Sequence, residues 1–118
     1  MTIKELYEAI GGNYESALNT MMMDDFIRKM LSKFVENNSF SSIVDGYQNK
    51  DYKKVFEASH NFKGVTGNLA LTSLYNKTLP IVEPTRNFSN ITDLNLDNEI
   101  AELKKEYEHV VSLIKQVL

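Results

Sequence analysis

The chain has 118 residues, 42% of them hydrophobic, no cysteine and a formal charge of −3. That length suits one domain, residues 1–118, around a single core; the lack of cysteine excludes disulfides, thiolate metal sites and cysteine nucleophiles; and an acidic chain without a Lys/Arg stripe argues against nucleic acid as a partner. No apolar run approaches the ~20 residues needed to cross a bilayer, and the N-terminus carries no apolar signal segment, so a cytoplasmic protein with no membrane contact is expected.

Thr2 and Glu5 have capping-box spacing, and Ile3, Leu6, Tyr7 and Ile10 follow at helical intervals until Gly11-Gly12 stops the first helix. Asn13 caps a short second turn through Leu18, and Met21-Met22-Met23 is expected to fill core space. From Asp24-Asp25 the apolar residues Phe26, Ile27, Met30, Leu31, Phe34 and Val35 form an amphipathic helix. Asn37-Asn38-Ser39 interrupts it, and Phe40, Ile43, Val44 and Tyr47 carry the pattern on to about Gln48. After a turn at Asn49-Lys50, Asp51 caps a helix that ends near Asn68 to Ala70. Thr72 is the expected cap of the next helix, whose inner face is Leu74, Tyr75, Thr78, Ile81 and Val82. Pro80 predicts a kink there and an end near Arg86. Asn87 to Asn95 reads as a polar loop. The last helix, from Leu96 or Asp97 to about Val117, carries Ile100, Leu103, Tyr107, Val110, Ile114 and Val117 at spacings of three and four, a bundle seam. No segment alternates with period two. The pattern predicts an all-α protein, an antiparallel up-and-down helical bundle with short N-terminal helices.

The helix that follows Asp51 carries the chemistry. At about 100° per residue, His60, Lys63, Gly64 and Gly67 fall within about 60° of one direction. Val55, Ala58, Phe62, Val65 and Leu69 form the expected apolar seam, which leaves His60 facing solvent. Two glycines inside a helix cost about 1 kcal/mol each relative to alanine. Placed on the histidine's face, they read as a cleared pad that lets another protein approach the imidazole. Phe56, one turn before His60, offers an apolar contact at the rim.

A neutral imidazole is a nucleophile near pH 7 and can take a phosphoryl group without prior deprotonation. Lys63 could pair with the phosphoryl oxygens. Two other readings stand beside this one. Glu57-x-x-His60 and Glu106-x-x-His109 both have the form used by di-metal carboxylate bundles, but both histidines lie opposite their apolar seams, where ligands cannot converge. A helical adaptor that binds partners without chemistry explains the fold and leaves Gly64 and Gly67 without a reason. His109, with no glycines beside it, reads as a solvated residue.

The stretch Ala58-Ser-His60-Asn-Phe-Lys63-Gly64-Val-Thr-Gly67-Asn68-Leu69 resembles the signature of histidine-containing phosphotransfer (HPt) domains, roughly A-x-H-x-L-K-G-x-x-x-N-[LIF]-G. Gly11-Gly12-Asn13-Tyr14, the helix through Phe34, the turn Asn49-Lys50-Asp51 and the segment Leu71 to Tyr75 extend the similarity over nearly the whole chain. The resemblance implies a four-helix bundle whose His60 accepts a phosphoryl group from the aspartate of a response-regulator receiver domain, or of a hybrid histidine kinase's receiver, and passes it to another. It implies Lys63 as charge neighbour, Gly64 as clearance, no cofactor of its own, a magnesium ion supplied by the partner receiver, and no autonomous catalysis. A monomer is expected. The chain departs from the signature at Phe62, in place of leucine, and at Ala70, in place of glycine. Pro80 and Pro84 are unusual in the helix that lends a polar group in some members, and Val82 cannot serve as that group; Arg86 is a weaker candidate for the electrostatic role and reads equally well as a solvated helix-end residue.

Overall fold

Three side-chain caps punctuate the N-terminal half. Thr2 Oγ1 accepts from Glu5 N while Glu5 Oε1 accepts from Thr2 N, Asn13 accepts from Ser16 N, and Asp51 accepts from Lys54 N. Each satisfies a backbone donor that the first turn of a helix would otherwise leave free. The computed structural model describes residues 1–118 and contains no strand. Its helices are α1 (Ile3–Ala9), α2 (Tyr14–Met21), α3 (Asp24–Glu36), α4 (Ser39–Gln48), α5 (Tyr52–Asn68), α6 (Thr72–Thr85) and α7 (Asp97–Val117), with a 3-10 turn at Phe88–Asn90. No helix is long and apolar enough to cross a membrane.

Helix α5 is the centre of the packing, with α4 along one flank and α6 along the other; α7 closes against α6 and α3, and α1 and α2 cover one end. Side chains from all seven helices join one hydrophobic cluster, which fits a single domain. Behind α5, Phe34, Phe40, Phe62 and Tyr107 form an aromatic node, with Phe40 stacked on Tyr107 at 4.4 Å and Phe34 5.9 Å from Phe62. Such contacts add to simple area burial. The close approach of α4 to α5 depends on Gly46, where a Cβ would meet Val55 N at 3.1 Å and Asp51 O at 3.2 Å.

Two tyrosines fasten the chain ahead of α7. The Tyr47 hydroxyl accepts from Leu96 N and donates to Asp97, and the Tyr52 hydroxyl accepts from Leu94 N. At the other end, the Gly11-Gly12 turn grips the α5–α6 junction. Asn13 N donates to Ala70 O at 2.9 Å, the buried Tyr7 hydroxyl donates to Leu69 O at 2.8 Å, and Gly12 has no space for a side chain between the Tyr7 ring and Ala70 O.

Several sequence expectations change. The buried line of α5 is Tyr52, Val55, Ser59, Phe62 and Thr66, continued by Leu69; Ala58 and Val65 only flank it. Ser59 and Thr66 enter the core because their hydroxyls donate to the Phe56 and Phe62 carbonyls, so no donor is stranded. Of the three methionines only Met21 is buried. Met22 takes a left-handed conformation as the α2 C-cap, and it and Met23 are exposed, as is Phe26. Thr72 is the first residue of α6 rather than its cap, a position held by Leu71 without a side-chain bond. Tyr75 is only half-buried, whereas Thr85 joins the inner face. Helix α6 is continuous through Pro80 and Pro84, both exposed, and ends where expected, at Thr85 with Arg86 as its cap.

Candidate functional site

His60 lies on the exposed side of α5, roughly 130° around the helix from the mean direction of the buried line. The Phe56 ring packs one turn before it, with centroids 5.6 Å apart. This spacing is the (i, i+4) neighbour relation of a helix, and it gives the imidazole an apolar support on one side. Phe56 is itself held from outside α5. The Phe88 ring, in the 3-10 turn, lies 5.9 Å from it, and the Arg86 guanidinium carbon lies 5.4 Å from its centroid. The rim residue of the sequence reading is thus also a support for the histidine.

Arg86 is fixed from a second direction. Its Nη2 donates to Glu83 Oε1 at 2.9 Å and its Nε to Glu83 Oε2 at 3.3 Å, a bidentate pair across one turn of α6. This pair holds the Glu83 carboxyl below its usual range, chiefly through the Arg86 hydrogen bond, with the Lys63 charge adding to the same effect. Lys63 is half-buried on α5, and the ion pair of Glu83 is with Arg86, the cap of α6.

The two glycines of the expected pad have different surroundings. A Cβ at Gly64 would meet nothing within 4 Å, so the surface one turn beyond His60 is open. A Cβ at Gly67 would meet the Tyr75 ring at 3.4 Å. That distance is ordinary van der Waals contact, so Gly67 is exposed beside Tyr75 of α6, whereas Gly64 has no neighbour. On the far flank of α5, Met21, Phe26, Met30, Val65 and Leu69 line much of an apolar groove of about 410 Å³. Another surface depression, of about 570 Å³, lies among Ser41, Asp45, Gln48, Lys54 and Lys104 and contains no histidine.

Glu57, His60, Glu106 and His109 do not converge. No group of three or more histidine or acidic side chains is placed to hold a metal ion. His109 is exposed on α7.

Glu83 and Phe88 belong to the surroundings of His60 and were not found by sequence reasoning. The Glu83-x-x-Arg86 spacing was a usable sign of a helical ion pair. Phe88 gave none, since one aromatic residue in a polar loop has no periodicity to read. Together these elements present an exposed imidazole with Lys63 three residues on, Arg86 held over the supporting Phe56 ring, and open space at Gly64. Comparison with family models, with curated proteins and with solved structures finds no match to this chain.

Proposed function

We propose that this protein is a phosphocarrier of the histidine-containing phosphotransfer type, in which His60 accepts a phosphoryl group from the aspartyl phosphate of a receiver domain and returns it to another receiver's aspartate. The observation that carries the reading is an exposed His60 with Lys63 three residues on and unfilled space at Gly64. The sequence resemblance supports the same reading. In this view α3 and α4 form one interrupted limb, and α5, α6 and α7 the other three, of an antiparallel up-and-down four-helix bundle.

The step needs little from this chain beyond position and charge. An imidazole nitrogen forms the N–P bond as the P–O bond to the aspartyl carboxylate breaks, and the bonding electron pair leaves with that carboxylate. The ring keeps its proton on the other nitrogen. Phosphoryl transfer is governed by alignment and by compensation of oxygen charge. Phe56 orients the ring, Lys63 meets the phosphoryl oxygens, and Gly64 admits the receiver's acidic pocket. The groove beside Val65 and Leu69 supplies apolar contact area for docking. The magnesium ion of the reaction belongs to the receiver. The carrier holds no cofactor, works in the cytoplasm as a monomer and has no turnover of its own.

The test is label transfer from a phosphorylated receiver of a response regulator or hybrid kinase. Wild type is expected to become labelled, and His60→Gln to remain unlabelled with an unchanged far-UV circular dichroism spectrum. Undiminished labelling of the variant would sink the assignment.

A further inference from the structure

The pairing of Glu83 with Arg86 is not explained by stability. Both Glu83 and Arg86 side chains are about half exposed, and ion pairs in such positions contribute little to folding. Its location is the informative part. The guanidinium that Glu83 grips lies over Phe56, the ring that supports His60.

Resting on the phosphotransfer reading, we propose that Glu83 is a resident counter-anion that holds Arg86 in the unmodified protein and gives it up to the phosphoryl group of modified His60. Phosphorylation gives His60 close to two negative charges, against the single charge of the Glu83 carboxylate. A planar guanidinium binds either anion through the same fork of N–H donors. Because the Arg86–Glu83 pair is exposed and weak, the exchange is easily reversed, and the Phe56 ring gives the guanidinium a fixed surface on which to turn. Once Arg86 has moved, the freed Glu83 carboxylate faces the phosphoryl group as a like charge. Glu83 thereby limits how tightly the carrier holds its cargo, which favours onward transfer.

The chain has only two arginines, Arg28 and Arg86. The Arg28 Nε donates to Val117 O, away from the site, so the two side-chain Nε–H signals in a nitrogen–proton NMR spectrum separate a reporter from a reference. The protein is phosphorylated with phosphoramidate, with His60→Gln as the control. The Arg86 signal is expected to shift on phosphorylation while that of Arg28 stays in place. Glu83→Gln is expected to shift the Arg86 signal before phosphorylation and to lengthen the phosphohistidine lifetime about threefold, the scale of one exposed ion pair. That lengthening should vanish when Arg86→Gln is added, whereas Glu83→Asp should restore a near wild-type lifetime. If His60 takes no label from either phosphoramidate or a receiver, the phosphotransfer reading fails and this inference with it. If His60 is labelled but the Arg86 signal and the Glu83→Gln lifetime do not change, the counter-anion role alone is overturned.

Discussion

Gly64 lies inside a 17-residue helix, at a position where an added methyl group would touch nothing within 4 Å. Replacing glycine by alanine in a helix interior is favourable by about 0.5–1 kcal/mol, because alanine loses less backbone freedom on folding. With no steric cost to offset it, Gly64→Ala is expected to stabilise the protein by that amount, raising the midpoint by about 4 °C in a domain of this size. The same change at Gly46 is expected to do the reverse. There the methyl would press on backbone atoms of Val55 and Asp51 that cannot yield, an overpacking that typically costs about 1–3 kcal/mol. Thermal unfolding followed by far-UV circular dichroism measures both. A lower midpoint for Gly64→Ala than for wild type would refute the open geometry. The functional arm uses Gly64→Gln, whose longer side chain occupies the space a receiver needs. It is expected to reduce label transfer at least tenfold without a loss of stability, and an unchanged rate would show that the glycine is not a docking clearance.

Other consequences follow from the packing. Tyr7→Phe leaves the Leu69 carbonyl without its buried donor and is expected to cost about 1–2 kcal/mol in chemical denaturation. Burial pushes the Tyr7 hydroxyl well above its ordinary value. The stability this provides is therefore complete below about pH 10, where an unfolded tyrosine is still protonated, and falls as pH rises beyond that point; Tyr7→Phe should flatten the alkaline decline. Met22 is 83% exposed with φ of 72°, so Met22→Gly is expected to add about 1 kcal/mol by removing left-handed strain at the end of α2, read again as a midpoint shift.

Much of the helical architecture was legible because its signals are local. Thr2 with Glu5, Asn13 and Asp51 mark helix starts through backbone donors that the side chains can reach. The α7 seam is nearly all apolar, and four of its six residues, Ile100, Leu103, Val110 and Ile114, are buried. The α5 seam was drawn about 50° off by the same reasoning. Hydropathy assigns Ser59 and Thr66 to the surface, whereas their hydroxyls are satisfied by carbonyls of the preceding turn and can be buried. Met21, Met22 and Met23 look identical in sequence and differ in fate because the backbone reverses hand at Met22. At the site, the exposure of His60 and the clearance at Gly64 could be read from angle and residue type. Tyr75 against Gly67 and Phe88 against Phe56 could not, because they depend on how α6 and the following turn return to α5.

The grip of the Gly11-Gly12 turn on the α5–α6 junction bears on how the molecule opens. Chain ends ordinarily fray first and exchange their amide protons fastest. Here Asn13 N is bonded to Ala70 O, the Tyr7 hydroxyl to Leu69 O, and Ser73 N to Gly11 O. Local unfolding of the first dozen residues is therefore expected to release the junction that ends the histidine helix, so that amide exchange of the two segments should rise and fall together. With Ile3, Leu6 and Tyr7 buried, slow exchange is expected to reach into α1, and loosening α1 should loosen the end of the helix that presents His60.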